Sequence, residues 1–292
     1  MKELVQGAYD IHVHCAPDVV PRAQSLLELG RAAAEAGMGG LGLKDHTGST
    51  TGRVAALNEI HEDSPRFFSA LALNPTVGSL NPLAVQAALE AGTDIVYFPT
   101  YGAKHQIDVM GIDGFPPAFP LPGGTFEGVT VTDAVGELKP EVGEILDLIA
   151  EFDGVLATGH VSPAECLALV AAGQERGIGR MLVTHASELV PGLTIEQQRE
   201  AVSYGALIEQ SFLAVTDAYS HTMELTEIAD QIRQVGVDRV IVSSDFGQVP
   251  NGPVVPGFAR YLGELRELGF SDEEIRTMVV ANPERLLLDR EV

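Results

Sequence analysis

Near the start of the chain two histidines stand two residues apart, in the run Asp10-Ile11-His12-Val13-His14. Alternate residues of a strand point to the same side, so Asp10, His12 and His14 are expected on one face and Ile11 and Val13 on the other. A lone histidine on an apolar element is more often a hydrogen-bonded core residue than a ligand; a same-face pair raises the odds of metal binding. His160, His185 and Asp245 then close three later apolar runs, GVLATGH, RMLVTH and DRVIVSSD, each of which is polar at its tip. Taken singly, each tip reads as an ordinary capped or solvent-facing residue. Together, imidazoles and a carboxylate without thiolates suit a divalent ion with a position left open for water: Zn²⁺ first, Mn²⁺ or Fe²⁺ as alternatives, as one ion or two.

One chemistry such a centre could perform is hydrolysis. A metal-bound water has its pKa lowered toward ~7. Asp245 is the candidate to accept its proton and pass it to the leaving group, as base and then acid. His185 or Lys44 is the candidate to meet the oxygen on which charge develops. Lys44 is one of only four lysines in the chain, and Gly42, Lys44 and His46 are expected on the inward face of their run. A lysine there could bind a substrate anion, pair with Asp45 or Asp10, form a carbamate bridging two metals, or simply snorkel to the rim. His46, His105 and Arg22 are further candidates to face a substrate. Arg22 would take a substrate carboxylate, its ordinary alternative being a surface arginine; Lys104 and His105 read more simply as loop residues.

These residues need a scaffold that gathers distant strand ends. Apolar runs suited to strands lie at 9–14, 38–44, 67–73, 94–99, 154–160, 180–185, 205–212 and 238–245. Helical patterns fall between them at 24–36, 52–63, 80–91, 140–152, 163–176, 194–204, 220–235 and 257–269, and a last helix starts at Ser271. Ser162-Pro163, Thr194 and Ser271 are helix start signals, and Gly37, Gly92 and Gly236 are stops. Strand and helix alternate at the spacing of a single crossover unit, which predicts an α/β fold: a (β/α)8 TIM barrel with an inserted loop after strand 4 and an extra C-terminal helix. An open nucleotide-binding sheet would need a glycine-rich turn after the first strand, and HCAPDVVPR is not one. The inserted loop, 101–139, is rich in Gly, Pro and Phe and reads as a lid, with Phe115, Phe119 and Phe126 closing over an apolar part of the substrate. The whole chain, 1–292, is expected to be one domain.

In this order, Asp10-Ile11-His12-Val13-His14, His160, His185 and Ser244-Asp245-Phe246 resemble the metal-dependent hydrolases of the amidohydrolase superfamily. The tail Asn282-Pro283-Glu284-Arg285-Leu286-Leu287 resembles that family's closing helix, so the resemblance spans nearly the whole chain. It implies that His12 and His14 bind metal with Asp245, whose outer oxygen is also near the attacking water. It implies further that His160 completes a mononuclear site, and that His185 ligates a second metal or acts as an electrophile. The chain departs from the family on the fourth strand. Binuclear members carry a carboxylated lysine or a glutamate there, whereas Asp94-Ile95-Val96-Tyr97-Phe98-Pro99 offers neither at its tip, and a two-metal bridge would fall to Lys44. Lys44-Asp45-His46 is also similar to the second motif of the polymerase-and-histidinol-phosphatase phosphoesterases. That family places a histidine two residues after the aspartate, where this chain has Gly247.

The expected function is therefore metal-dependent hydrolysis of a C–N or ester bond in a small molecule. The alternatives are a phosphoesterase, a mononuclear metal-dependent decarboxylase, or a barrel that binds metal or ligand without turnover. Composition narrows the partners: with 18 Lys and Arg against 41 Asp and Glu, the formal net charge is −23, which repels nucleic acid and anionic membranes. No apolar run is long enough to span a bilayer, the first residues do not form a signal peptide, and Cys15 and Cys166 make no disulfide framework. A soluble cytoplasmic protein with a small-molecule substrate is expected. No exposed stripe identifies an interface, and homo-oligomerisation is left open.

Overall fold

Short apolar runs become parallel strands, and the capped segments between them become helices, in a computed structural model describing residues 2–61, 64–111, 126–217 and 222–289. In chain order the elements are α1 (Lys2–Val5), β1 (Tyr9–Val13), α2 (Leu26–Ala36), β2 (Gly40–Leu43), α3 (Thr51–Ile60), β3 (Arg66–Phe68) and β4 (Ala70–Ala72). They continue with α4 (Pro82–Glu90), β5 (Ile95–Tyr97), α5 (Lys104–Met110), α6 (Pro140–Glu151), β6 (Val155–Ala157), α7 (Pro163–Glu175) and β7 (Met181–Val183). The last are α8 (Ile195–Ser203), β8 (Leu207–Ser211), α9 (Leu225–Val235), β9 (Val240–Ser243), α10 (Val254–Glu267), α11 (Asp272–Arg276) and α12 (Asn282–Leu287). Expected start signals hold: Ser162, Thr194 and Ser271 each cap a helix through a reciprocal box with the residue three further on. Gly37 ends α2 in the left-handed conformation.

All strand pairs are parallel, and within the runs β1 to β3 and β4 to β9 each strand lies beside its predecessor in the chain. β3 and β4 are one barrel strand interrupted at Ser69, whose carbonyl still accepts from Ile95 N at 2.9 Å. The ring closes where β9 returns to β1: Asp245 N donates to His12 O at 3.0 Å, and His14 N donates to Phe246 O at 2.8 Å. The eight strands of a (β/α)8 barrel are all present, with α5 inside the insertion after the fourth and α11 and α12 following the last helix of the ring.

Two apolar cores follow from the alternation of side chains. The outer one packs Val13, Leu41, Leu43, Val96, Leu156, Val183, Ile208 and Val242 against the helices. The inner one fills the barrel with Tyr9, Ile11, Phe68, Ala70, Ala72, Ile95, Tyr97, Val155, Leu182, Leu207 and Ile241, and α12 closes it from below with Leu286 and Leu287. Leu41 and Leu43 face the helices as expected, which turns Lys44 inward. The first strand corrects the expectation. Its register against β2 slips between Asp10 and Val13, where β1 spends one residue more than its partner. Such a bulge resets the alternation, so Ile11 belongs to the inner core and Asp10 leaves the face of the histidines to bind Ser244, taking its N–H at 3.0 Å and its hydroxyl at 2.6 Å.

Within the insertion, Ala103 pairs with Val129 and Thr132 with Leu138, and Val131 N donates to Glu165 of α7 at 2.7 Å. Phe115 and Phe119 lie outside the described residues, and Phe126 is half-buried. Among the described residues no helix is long and apolar enough to cross a membrane.

Candidate metal centre

The C-terminal ends of the strands converge on a buried polar cluster. Asp245, just past β9, is its hub: its Oδ1 lies 3.0 Å from His14 Nε2 and 3.2 Å from His12 Nε2. Atoms this far apart can bind a common ion with bonds of about 2.1 Å. The other side of the hub is a second group, in which His185 and Glu188 bring donor atoms within 4.8 Å of each other and of Asp245. His160 stands in neither trio. Its Nε2 faces His185 Nε2 at 3.1 Å, and its Nδ1 donates to Gln106 Oε1 of α5 at 2.8 Å. The inserted segment thus sets the ring orientation of a histidine at the centre.

Two non-glycine residues here hold left-handed backbone, His185 at φ 26° and Asp245 at φ 52°. Such conformations cost energy and persist where the surroundings demand them. Gly247 is demanded too: at φ 145°, an added Cβ would come within 2.3 Å of His14 O. No histidine fits at that position, which removes the last phosphoesterase motif on steric grounds.

Glu209 on β8 locks the first histidine. It accepts from His12 Nδ1 at 2.9 Å, from the Ser243 hydroxyl at 2.6 Å and from His185 N at 2.9 Å. Burial alone would raise its pKa, but the His12 charge and these bonds hold it at about 2. Burial also opposes ionisation of Asp245, and His12 and His14 overcome it, so its pKa lies below the ordinary carboxylate value. Burial, with the Arg22 charge, drives His14 down to about 3; burial, with the Lys44 charge, drives His185 down to about 4. At neutral pH both rings are therefore uncharged, the form in which imidazole binds metal. Glu188 goes the other way, raised far above the usual range by burial and by the Asp245 charge, while its Oε1 accepts the Ser211 hydroxyl.

The remaining candidates separate clearly. Lys44 is buried with its Nζ over the Tyr97 ring, 4.6 Å from the centroid, and burial lowers its pKa. Asp45 pairs with Arg53 and Asp10 with Ser244, so neither pairing weighed for Lys44 forms. His46 stacks on His14 at 5.0 Å and on Tyr101 at 4.1 Å, with Nδ1 2.8 Å from the Thr100 hydroxyl. Arg22 is buried at the mouth rather than on the surface, bonded to Asp18 at 2.7 Å. His105 is not a loop residue as expected but sits in α5, and it donates to Pro191 O at 3.0 Å, which ties the insertion to the turns after β7 and is not a place in the centre. Lys104 pairs with Asp108 on the exposed side.

Sequence reasoning missed Glu188, Glu209 and Tyr97. Glu188 lies in the turns after β7 and carries no periodic signal. Glu209 did carry one: a glutamate inside the apolar run ALIEQSF is too costly to bury without a purpose. Tyr97, in the barrel interior, keeps its hydroxyl buried without a hydrogen-bond partner.

A divalent ion suits this donor set. Among the described residues His12 Nε2 and His185 Nδ1 are buried with no hydrogen bond, the carboxylate between them is ionised, and His12 is oriented through its far nitrogen as metal-binding histidines usually are. Residues 7–209, more than half of the chain, match DUF6282, described as a family of unknown function. The chain belongs to that family. No curated protein matches the sequence. Among solved structures, an amidohydrolase from Pseudomonas aeruginosa is similar at TM-score 0.66 and 11% identity, with 99% of this chain and 97% of that chain covered. The probable dipeptidase PvdM from Pseudomonas aeruginosa is similar at TM-score 0.68 and 12% identity, over 98% and 95%. A 2,6-dihydroxybenzoate decarboxylase bound to 2,6-dihydroxybenzoate gives TM-score 0.58 and 12% identity, over 97% and 99%. At these identities the likeness establishes the fold alone: this DUF6282 member shares the barrel of these three proteins.

Proposed function

We propose that this protein is a metal-dependent hydrolase of the cytoplasm that adds water across a C–N or ester bond of a small molecule, with Zn²⁺ as the ion. The observation that carries the reading is Asp245, whose one oxygen is shared by His12 and His14 and whose carboxylate also borders His185 and Glu188. His12, His14 and Asp245 would hold a first ion with His160 beside them; His185, Glu188 and Asp245 could hold a second. When bound, the ion supplies a water acidic enough to be deprotonated near neutral pH.

The chain's own residues do the rest. Asp245 Oδ2 takes no hydrogen bond from any described residue, so it is the atom that accepts the proton of the attacking water and returns it to the leaving nitrogen or oxygen. Glu209 keeps His12 in the orientation that turns Nε2 to the hub. Lys44 presents a cation, and His185 a polar ring, to the substrate oxygen that gains charge. The 101–139 insertion would exclude water, and its Gln106 holds His160. The amidohydrolase and the dipeptidase of the same fold are hydrolases by name, in keeping with this reading.

Elemental analysis of protein purified without chelators tests it, together with hydrolysis of a panel of amides and esters. We expect at least one equivalent of metal, lost together with turnover in His12→Ala. Metal-free protein, or full activity in His12→Ala, overturns the reading. Because the decarboxylase shares this fold, carbon dioxide is measured in the same assays; its release without water consumption would assign the centre to decarboxylation.

A further inference from the structure

Arg22 brings a buried guanidinium to the mouth that hydrolysis alone leaves unused. Its backbone bridges to Gln248, and Ala23 N donates to Gly247 O at 2.9 Å, so the residue is tied to the loop that carries Asp245. Its Nε donates to Asp18 Oδ2 at 2.7 Å, and both side chains are 3% exposed. That bond uses one edge of the guanidinium. Among the described residues Nη2 is left buried with no hydrogen-bond partner, a costly state for a charged donor unless a ligand relieves it. Its charge is near enough to the cluster to oppose protonation of His14 and His46.

We propose that Arg22 anchors a carboxylate of the substrate through Nη2, so that the enzyme acts on small molecules that carry an acid group beside the bond to be cleaved. The substrate class rests on the hydrolase reading; the anion site itself does not. A planar guanidinium matches the geometry of a carboxylate, and Lys44 adds a second positive charge in the same mouth. A phosphate dianion fits less well. Asp18 already neutralises much of the Arg22 charge, so one added negative charge is accommodated more easily than two.

Titration calorimetry with benzoate, its neutral analogue benzamide, and phenyl phosphate tests the assignment. It uses the protein as purified and after chelation, beside Arg22→Gln and Arg22→Lys. We expect benzoate to bind at least about tenfold more tightly than benzamide, an advantage that Arg22→Gln abolishes with metal content and melting temperature unchanged. Arg22→Lys, which keeps the charge but not the fork, should recover part of it and serves if the glutamine variant fails to fold. Equal benzoate affinity in wild type and Arg22→Gln overturns the proposal. So does benzoate binding that disappears on chelation yet ignores Arg22, because the carboxylate would then sit on the metal. Tighter binding of phenyl phosphate through Arg22 also overturns it, making the ligand a phosphate. Arg22-dependent benzoate binding in a protein that holds no metal would leave this site standing while removing the hydrolase reading.

Discussion

The two ends of the barrel treat buried polar groups in opposite ways. At the base, Asp94 accepts from Ser69 N at 2.8 Å and from the Ser69 hydroxyl at 2.9 Å, and Asn282 Nδ2 donates to Val237 O and Val240 O, both at 2.7 Å. Leu286 and Leu287 then seal the inner core from below. At the mouth, His12, His14, Arg22 and His185 each keep a buried polar atom without a hydrogen bond among the described residues, whereas the buried Arg180 guanidinium at the base is answered by Asp153, Nη2 to Oδ2 at 3.2 Å. One end is built for closure and the other for a guest, the division expected of a barrel whose chemistry lies at the C-terminal ends of its strands. Substitutions should respect it, the mouth answering in ligand and turnover and the base in stability.

The sharpest test is Asp245→Asn. It removes the shared carboxylate, so metal should be lost and turnover should fall by at least roughly 10²–10⁴-fold, the range for a general base alone. The melting temperature should hold. A variant that unfolds instead would show the hub to be structural and would erase the contrast. Leu286→Ala is the mirror experiment. This side chain is 1% exposed at the foot of the inner core, and a cavity there should cost about 2–5 kcal/mol in denaturant unfolding. Metal stoichiometry at 25 °C should be unchanged; a loss of metal would mean that the base positions the centre.

Glu209→Gln lies between these two. The Gln amide keeps an acceptor for His12 but loses the charge, and supporting carboxylates of this kind are worth about 10–100-fold in metal affinity. It also carries a pH signature in chelated protein. The folded-state pKa of Glu209 is depressed to about 2, so its stabilisation is present above the unfolded value near 4.5 and is lost as pH falls toward 2, a loss of about 3 kcal/mol. Unfolding free energies measured from pH 5 to 2.5 should therefore fall less steeply in Glu209→Gln than in wild type. Parallel curves would show that Glu209 does not carry the acid sensitivity.

Much of this contrast was legible in the sequence, because the barrel repeats a simple code. Each strand is a short apolar run bounded by polar or turn residues, and His160, His185 and Asp245 break their runs at the tip, where a polar residue needs a reason. What could not be read has local physical causes. The slip between Asp10 and Val13 is one residue of backbone, enough to send Ile11 inward and Asp10 to Ser244, and no side-chain pattern announces it. Glu188 occupies irregular structure, where spacing says nothing about direction. Arg22 looked like a surface arginine because charged loop residues usually are, and its burial depends on Asp18 and on a strand bridge from the far end of the chain.

The smallest expected effect probes the base at its edge. Ser271 caps α11, its hydroxyl accepting from Glu274 N at 3.2 Å while Glu274 Oε2 takes Ser271 N at 2.8 Å. Ser271→Ala removes one half of this box and leaves an N–H of the first turn to water. Because the cap is exposed, water replaces much of what is lost, and the cost should be about 1 kcal/mol, or roughly 2–4 °C in melting temperature. Metal content and benzoate affinity should not move. The cap lies outside the inner core, so any response at the mouth would mean that strain at the base is carried to the centre. A shift confined to the melting curve, measured on the same sample as the metal content, is what two independently built ends require.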